Sequence, residues 1–182
     1  ISDGAAIAVL ASGRTVKELG LKPLARVVAY TSHAQEPEWF TTAPVGAIRS
    51  VLKGAQWSAD QVDLFEINEA FACVAMAAIH DLKLDPHKVN VNGGACALGH
   101  PIGASGARVL TTLVHALTKR GGGTGVAALC IGGGMGCEFY AQFDRDGLII
   151  DVRRNRGGNI DSWIIEKLLR RAWAFWKRPN GQ

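Results

Sequence analysis

The sequence predicts an α/β protein built in layers, and three observations carry that prediction. Short apolar segments of strand length alternate with longer segments of helical period. One strand segment, Gly125–Ile131 (GVAALCI), is apolar throughout, as a strand covered on both faces must be. Two helical segments, Glu69–Leu82 and Gly106–Leu117, are apolar on nearly every side. A helix without a polar face needs cover all round, which calls for a sheet–helix–sheet arrangement rather than one sheet with solvated helices.

In chain order, Ala5–Leu10 is a short apolar run that suits a buried strand, and Thr15–Leu19 a short helix stopped by Gly20. Leu24–Tyr30 (LARVVAY) is rich in β-branched and apolar residues and reads as a strand, followed by a polar loop over His33–Thr42. Pro44–Gly54 carries Val45, Ile48, Val51 and Leu52 at helical spacing, with Pro44 suited to the first turn. Val62–Ile67 (VDLFEI) is a strand, Asn68 stands where a helix cap would, and the apolar helix to Leu82 follows. Lys88–Val91 reads as a short strand, a glycine-dense loop leads into the second apolar helix, and Gly125–Ile131 runs into Gly132-Gly133-Gly134-Met135-Gly136.

With 182 residues, 48% of them apolar and 20% charged, the chain can bury a real core and is not of the disordered class. No apolar run approaches the roughly 20 residues that span a bilayer, and no secretory signal opens the chain. Cys73, Cys96, Cys130 and Cys137 form no CxxC pair and none has zinc-finger spacing to His, which predicts free thiols, a reducing cytoplasmic setting and no metal. The net charge of +4 is confined to the end: Lys+Arg and Asp+Glu balance at 11 and 11 over 1–143, against 9 and 5 over 144–182. The basic balance therefore gives no case for nucleic-acid binding by the main body.

The segment Asn92–Arg108 (NGGACALGHPIGASGAR) concentrates glycine around His100 and opens the helix that runs to Leu117. Glycine at that density is costly in chain entropy and serves where backbone takes positive φ or passes close to a partner. Helix starts also expose N–H donors suited to a developing anion. Four groups stand at junctions between elements: Asn68, His100, Cys130 and the amides of Gly132–Gly134. In α/β sheets such strand ends and helix starts are where ligands gather. A thiol beside open backbone donors suits acid/base work next to an oxyanion site. Taken singly, Asn68 is most simply an N-cap, Cys130 a buried structural thiol, His100 a turn residue and GGGMG a tight turn. A phosphate loop is excluded because no Gly-Lys-Ser/Thr follows the glycines, and GxGxxG is absent.

NEAFA at Asn68–Ala72, GGACALGHPIGASGAR at Gly93–Arg108 and CIGGGMG at Cys130–Gly136 together resemble the C-terminal half of a thiolase, an acetyl-CoA C-acetyltransferase. The resemblance covers residues 1–137 in order and spacing. It implies a layered αβαβα fold of which residues 1–139 are the C-terminal domain, an acyl-CoA substrate with no further cofactor, and a homo-oligomer. It implies that His100 activates a nucleophilic cysteine and that Cys130 exchanges a proton with the α-carbon of a second acetyl-CoA. Asn68, through a held water, and His100 would form one oxyanion hole. The amide of Gly132 would contribute to a second, and Phe71 would line the acyl pocket. The reaction implied is Claisen condensation of two acetyl-CoA, or thiolytic cleavage of a 3-ketoacyl-CoA.

Two departures from the family pattern stand out. The family's nucleophilic cysteine lies in its N-terminal half, which this sequence does not contain, so the chain is expected to be inactive alone. From residue 140 the sequence leaves the thiolase pattern. A strand at 147–152, a turn at Arg156–Asn159 and an amphipathic helix capped by Asp161 or Ser162 resemble a piece of a tricorn-like serine protease core, without that family's nucleophilic serine. Two other readings remain open: a ketoacyl synthase-type condensing enzyme, against which CIGGGMG argues, and a non-catalytic acyl-CoA-binding or assembly module.

Overall fold

A computed structural model describes residues 2–131 and the strand at 135–142. The glycines at 132–134 and the strand, turn and helix expected within 143–182 lie outside the described residues.

The elements are α1 (Gly13–Glu18), β1 (Arg26–Ala34), α2 (Ala43–Ala55), β2 (Leu64–Ile67), α3 (Ala72–Leu82), α4 (Gly94–Leu98), α5 (Ser105–Lys119), β3 (Thr124–Ile131) and β4 (Met135–Gln142). The four strands form one sheet in the order β1-β4-β3-β2. β4 is antiparallel to both neighbours, and β2 lies parallel to β3 with Leu64 opposite Gly125 and Ile67 opposite Ala128. A parallel pair needs a crossover, and α3 to α5 provide it.

Each face of the sheet carries its own core. Leu64, Ala127 and Leu129 pack with Val109, Leu110, Leu113, Val114 and Leu117 of α5. On the other face Phe65, Ile67, Val126 and Ala128 pack with Val45, Ile48 and Val51 of α2 and Val74, Ala75 and Ala78 of α3. The uniformly apolar β3 is thus explained, since its alternate residues serve opposite cores. Each fully buried Leu or Ile contributes about 1.5–3 kcal/mol by leaving water.

The layered α/β class is as expected, and several details differ. Among the described residues there is one sheet, with α5 on one face and α2 and α3 on the other, rather than a helix layer held between two sheets. α5 is covered along most of its surface, with His115, Thr118 and Lys119 exposed. α3 is covered along one stripe only: Cys73 is exposed and Met76 is 65% exposed. Ala5–Leu10 forms no strand. Ala8 and Leu10 pack inward against the α5-side core while Ile7 and Val9 face out, and the segment joins no ladder. Lys88–Val91 is likewise reduced to a single parallel bridge, Phe65 to Val89, after a 3-10 turn at Pro86–Lys88. β1 continues to Ala34, and a 3-10 turn at Pro37–Thr42 occupies part of the expected loop.

Candidate active site

β2 and β3 run side by side and end at one edge, where the glycine-dense loop before α5 returns to the sheet. Asn68, the first residue past β2, donates its backbone N–H to Ala128 O at 2.8 Å and is buried. It is not a helix cap. α3 starts four residues on, at Ala72, with Phe71 at the capping position and no side-chain cap bond. The Asn68 side chain is thereby free to turn toward α5.

There it meets His100. Asn68 Nδ2 stands 3.5 Å from His100 Nε2, at the long limit of a hydrogen bond. His100 Nδ1 is 2.5 Å from Ser105 Oγ, and Ser105 Oγ donates to Pro101 O at 3.0 Å. A hydroxyl has one proton; a carbonyl can only accept it, so Ser105 must accept from His100. The ring proton therefore sits on Nδ1, leaving the Nε2 lone pair facing Asn68. Burial lowers the His100 pKa, and the Arg108 charge adds to the effect, which keeps the ring neutral near pH 7.

Arg108, one turn beyond Ser105 on α5, reaches back to the strand end. Its Nη2 donates to Asn68 Oδ1 at 3.3 Å and its Nη1 to Glu66 Oε1 at 3.1 Å. Glu66 is 1% exposed, and burial pushes its carboxyl up to about 7 although Arg108 pulls the other way. Arg108 Nε is buried without a hydrogen-bond partner among the described residues.

Two further groups hold the loop against the strand. Asn90, with φ of 48°, accepts from Ile67 N at 2.7 Å and donates to Ile67 O at 2.9 Å, so its side chain imitates a neighbouring strand. Glu69 accepts from Asn90 Nδ2 at 3.2 Å and from the backbone N–H of Cys96 at 2.8 Å. Gly94 adopts φ of 63°, and a Cβ there would come within 2.5 Å of the Glu69 carboxylate. Only glycine fits both demands.

Of the residues singled out from sequence, Asn68 and His100 are brought together. Cys130 lies at the same sheet edge but on the other face: Asn68 is held from the α5 side, whereas Cys130 packs against the α2–α3 core. No hydrogen bond joins Cys130 to His100 or Asn68 among the described residues. Burial pushes the Cys130 thiol up to about 11, with Cys73 adding to the shift. Phe71 is 58% exposed and meets Phe40 edge to face, ring centroids 6.2 Å apart. Gly132 lies outside the described residues. Glu66, Glu69, Asn90, Ser105 and Arg108 also belong to the site, and no role for them is evident from sequence. The available signal was an acid two residues before Asn68 in an apolar strand, with Ser105 and Arg108 one helical turn apart just after His100.

The arrangement supplies a neutral imidazole with a bare Nε2, an amide donor beside it, and a thiol approaching the same edge from the opposite face. Residues 21–142 match the family model described as "Thiolase, C-terminal domain". The chain is 51% identical over 142 residues to the cytosolic acetyl-CoA acetyltransferase of Mus musculus, a match covering 78% of this chain and 36% of that protein. The structure of Acat5 thiolase from Ascaris suum in complex with coenzyme A superposes with a TM-score of 0.70 at 48% identity, covering 72% of this chain and 34% of that one. Human mitochondrial 3-ketoacyl-CoA thiolase gives the same TM-score of 0.70 at 47% identity, covering 72% and 33%. The chain spans about a third of the length of the curated relatives it matches. The resemblance of 140–182 to a tricorn-like protease draws no support from these matches, and the family model stops at residue 142. The chain belongs to the thiolase family, and what it carries of that family is the C-terminal domain.

Proposed function

We propose that this chain supplies the acid/base portion of an acetyl-CoA acetyltransferase site, and that turnover requires the nucleophilic cysteine of the family's N-terminal half. The observation that carries the reading is the Asn68–His100 pair, with the ring proton committed to Ser105 and Nε2 left open. A direct contact as long as 3.5 Å leaves both groups available to a shared third partner, a water or a thioester oxygen.

In the proposed cycle His100 Nε2 takes the proton of the N-terminal half's cysteine as that sulfur attacks the thioester carbonyl of acetyl-CoA. The departing coenzyme A sulfur takes its proton from Cys130, leaving an acetyl-enzyme, a Cys130 thiolate and a protonated His100. Cys130, as thiolate, then takes the α-proton of a second acetyl-CoA. The resulting enolate oxygen is held by the Asn68 water and protonated His100, and its carbon attacks the acetyl-enzyme. The C–C bond forms, the acyl C–S bond to the enzyme breaks as His100 returns its proton to that sulfur, and acetoacetyl-CoA leaves; thiolysis is the reverse. Positioned donors of this kind are each worth about 100- to 1000-fold in rate, and a matched base roughly 100- to 10,000-fold. Gly132 would add a donor at the second oxyanion site and Phe71 would border the acyl group.

Cys130 needs help from its surroundings to act as a base. A thiol at about 11 is almost wholly protonated near neutrality and is a poor general base until a positive charge or a donor stabilises its thiolate. Coenzyme A thioester is the only small molecule the chemistry requires. The cytosolic name of the mouse relative supports a cytoplasmic setting, and among the described residues no helix is long and apolar enough to cross a membrane. A homo-oligomer remains the family expectation. The segment from about residue 140 is read as an appended piece outside the thiolase unit.

Mixing the purified chain with the separately produced N-terminal two-thirds of a related thiolase tests the reading. Thiolysis of acetoacetyl-CoA is expected from the mixture and lost in Cys130→Ala and His100→Ala. Binding of acetyl-CoA by the mixture without any turnover would instead favour a non-catalytic assembly module.

A further inference from the structure

We propose that Arg108, held by Glu66, is a positioning residue that decides which end of the Asn68 amide faces His100. An asparagine amide can be turned by 180° with almost no change of shape, so its orientation is set by its partners. Arginine only donates, and the end of the amide that meets Arg108 Nη2 at 3.3 Å must therefore be Oδ1. The other end, Nδ2, is then presented to His100 Nε2, whose lone pair is open because the ring proton is given to Ser105. Turning the amide round would set donor against donor at Arg108 and acceptor against acceptor at His100.

The polarity is thus defined along a continuous path from Glu66 through Arg108, Asn68, His100 and Ser105 to Pro101 O. Glu66 and Asn68 are two residues apart and share one side of the strand direction, so a single planar guanidinium bridges them with separate nitrogens. A lysine ammonium has no such fork. Glu66, 1% exposed, holds the guanidinium from the strand side through Nη1 and so fixes its angle. The importance of this orientation for catalysis rests on the proposed function; the orientation itself does not.

The test uses the full 182-residue chain labelled with nitrogen-15, at pH 7.5 and without substrate. In the unaltered chain His100 is expected to carry its proton on Nδ1 and the Asn68 Nδ2 protons to exchange slowly. Arg108→Met should speed that exchange at least tenfold, with the β2 and β3 backbone signals in place, and Glu66→Leu should do the same. Glu66→Gln, which keeps an acceptor oxygen, should stay within about threefold of the unaltered chain. Unchanged Asn68 exchange in a folded Arg108→Met chain would overturn the proposal, as would a ring proton on Nε2 in the unaltered chain. Should Arg108→Met fail to fold, the Arg108 guanidinium of the unaltered chain decides: separately resolved Nη protons support the clamp, and one averaged signal overturns it. None of these readouts needs turnover, so a failed complementation would count against the acyltransferase reading alone.

Discussion

Glu66 is the residue whose titration should be felt by the whole fold. Its folded pKa, about 7, lies above the 4.5 of an ordinary glutamate. The folded chain therefore binds more protons than the unfolded one between those values, so Glu66 lowers stability as pH rises from about 4.5 to 7. The full effect is on the order of 3 kcal/mol. Glu66→Gln should remove this component, and urea midpoints of both chains at pH 5 and pH 7.5 would show it as a smaller fall for the variant. An equal fall in both chains would refute the assignment. His100 titrates in the opposite sense, since its lowered pKa adds stability as pH rises, and comparing the two chains cancels it. Cys130 gives a second check at this scale. With its pKa near 11 it should be alkylated by iodoacetamide at pH 8 at least tenfold more slowly than exposed Cys73, as read by mass spectrometry. Equal rates would show that burial does not govern the thiol.

At the scale of elements, the loop before α5 is held by a few tight fits that can be broken one at a time. Gly94→Ala forces an alanine to φ of 63° and drives a methyl group into the Glu69 carboxylate. It should cost about 2 kcal/mol or more. Gly54→Ala, near the end of α2 with open space around it, should gain roughly 0.5–1 kcal/mol. Chemical denaturation of the two chains should move in opposite directions; a loss at both positions would mean the glycine-dense loop is not special. Much of this level was legible in the sequence. β2, β3, α2 and α5 fall close to where period and composition put them, because each buries its own apolar pattern. The missed elements depend on neighbours rather than on local pattern: Ala5–Leu10 has the composition of a strand but no ladder beside it, and Asn68 has the chemistry of a cap but a partner on another helix. Arg108 and Ser105 were visible as residues and not as partners, since their contacts cross 40 and 5 positions of sequence respectively.

For the molecule as a whole, the described residues make one two-faced sheet with apolar side chains left outside. Ile7, Val9, Phe71, Met76 and Leu98 are each more than half exposed. The chain spans about a third of the length of the curated relatives it matches. Ending the chain at Gln142, the last residue paired in the sheet, should leave the urea midpoint within experimental scatter of the full chain. Loss of folding on that truncation would show that the last forty or so residues belong to the same unit.

Whether an imidazole and a thiol from the two faces of this sheet serve one reacting carbon is settled most directly by a crystal structure of the complemented assembly with an acetyl thioester bound. His100 Nε2 and Cys130 Sγ should each lie within hydrogen-bonding reach of the same acetyl group. A Cys130 sulfur beyond hydrogen-bonding reach of that acetyl group, with His100 in contact with it, would contradict the account.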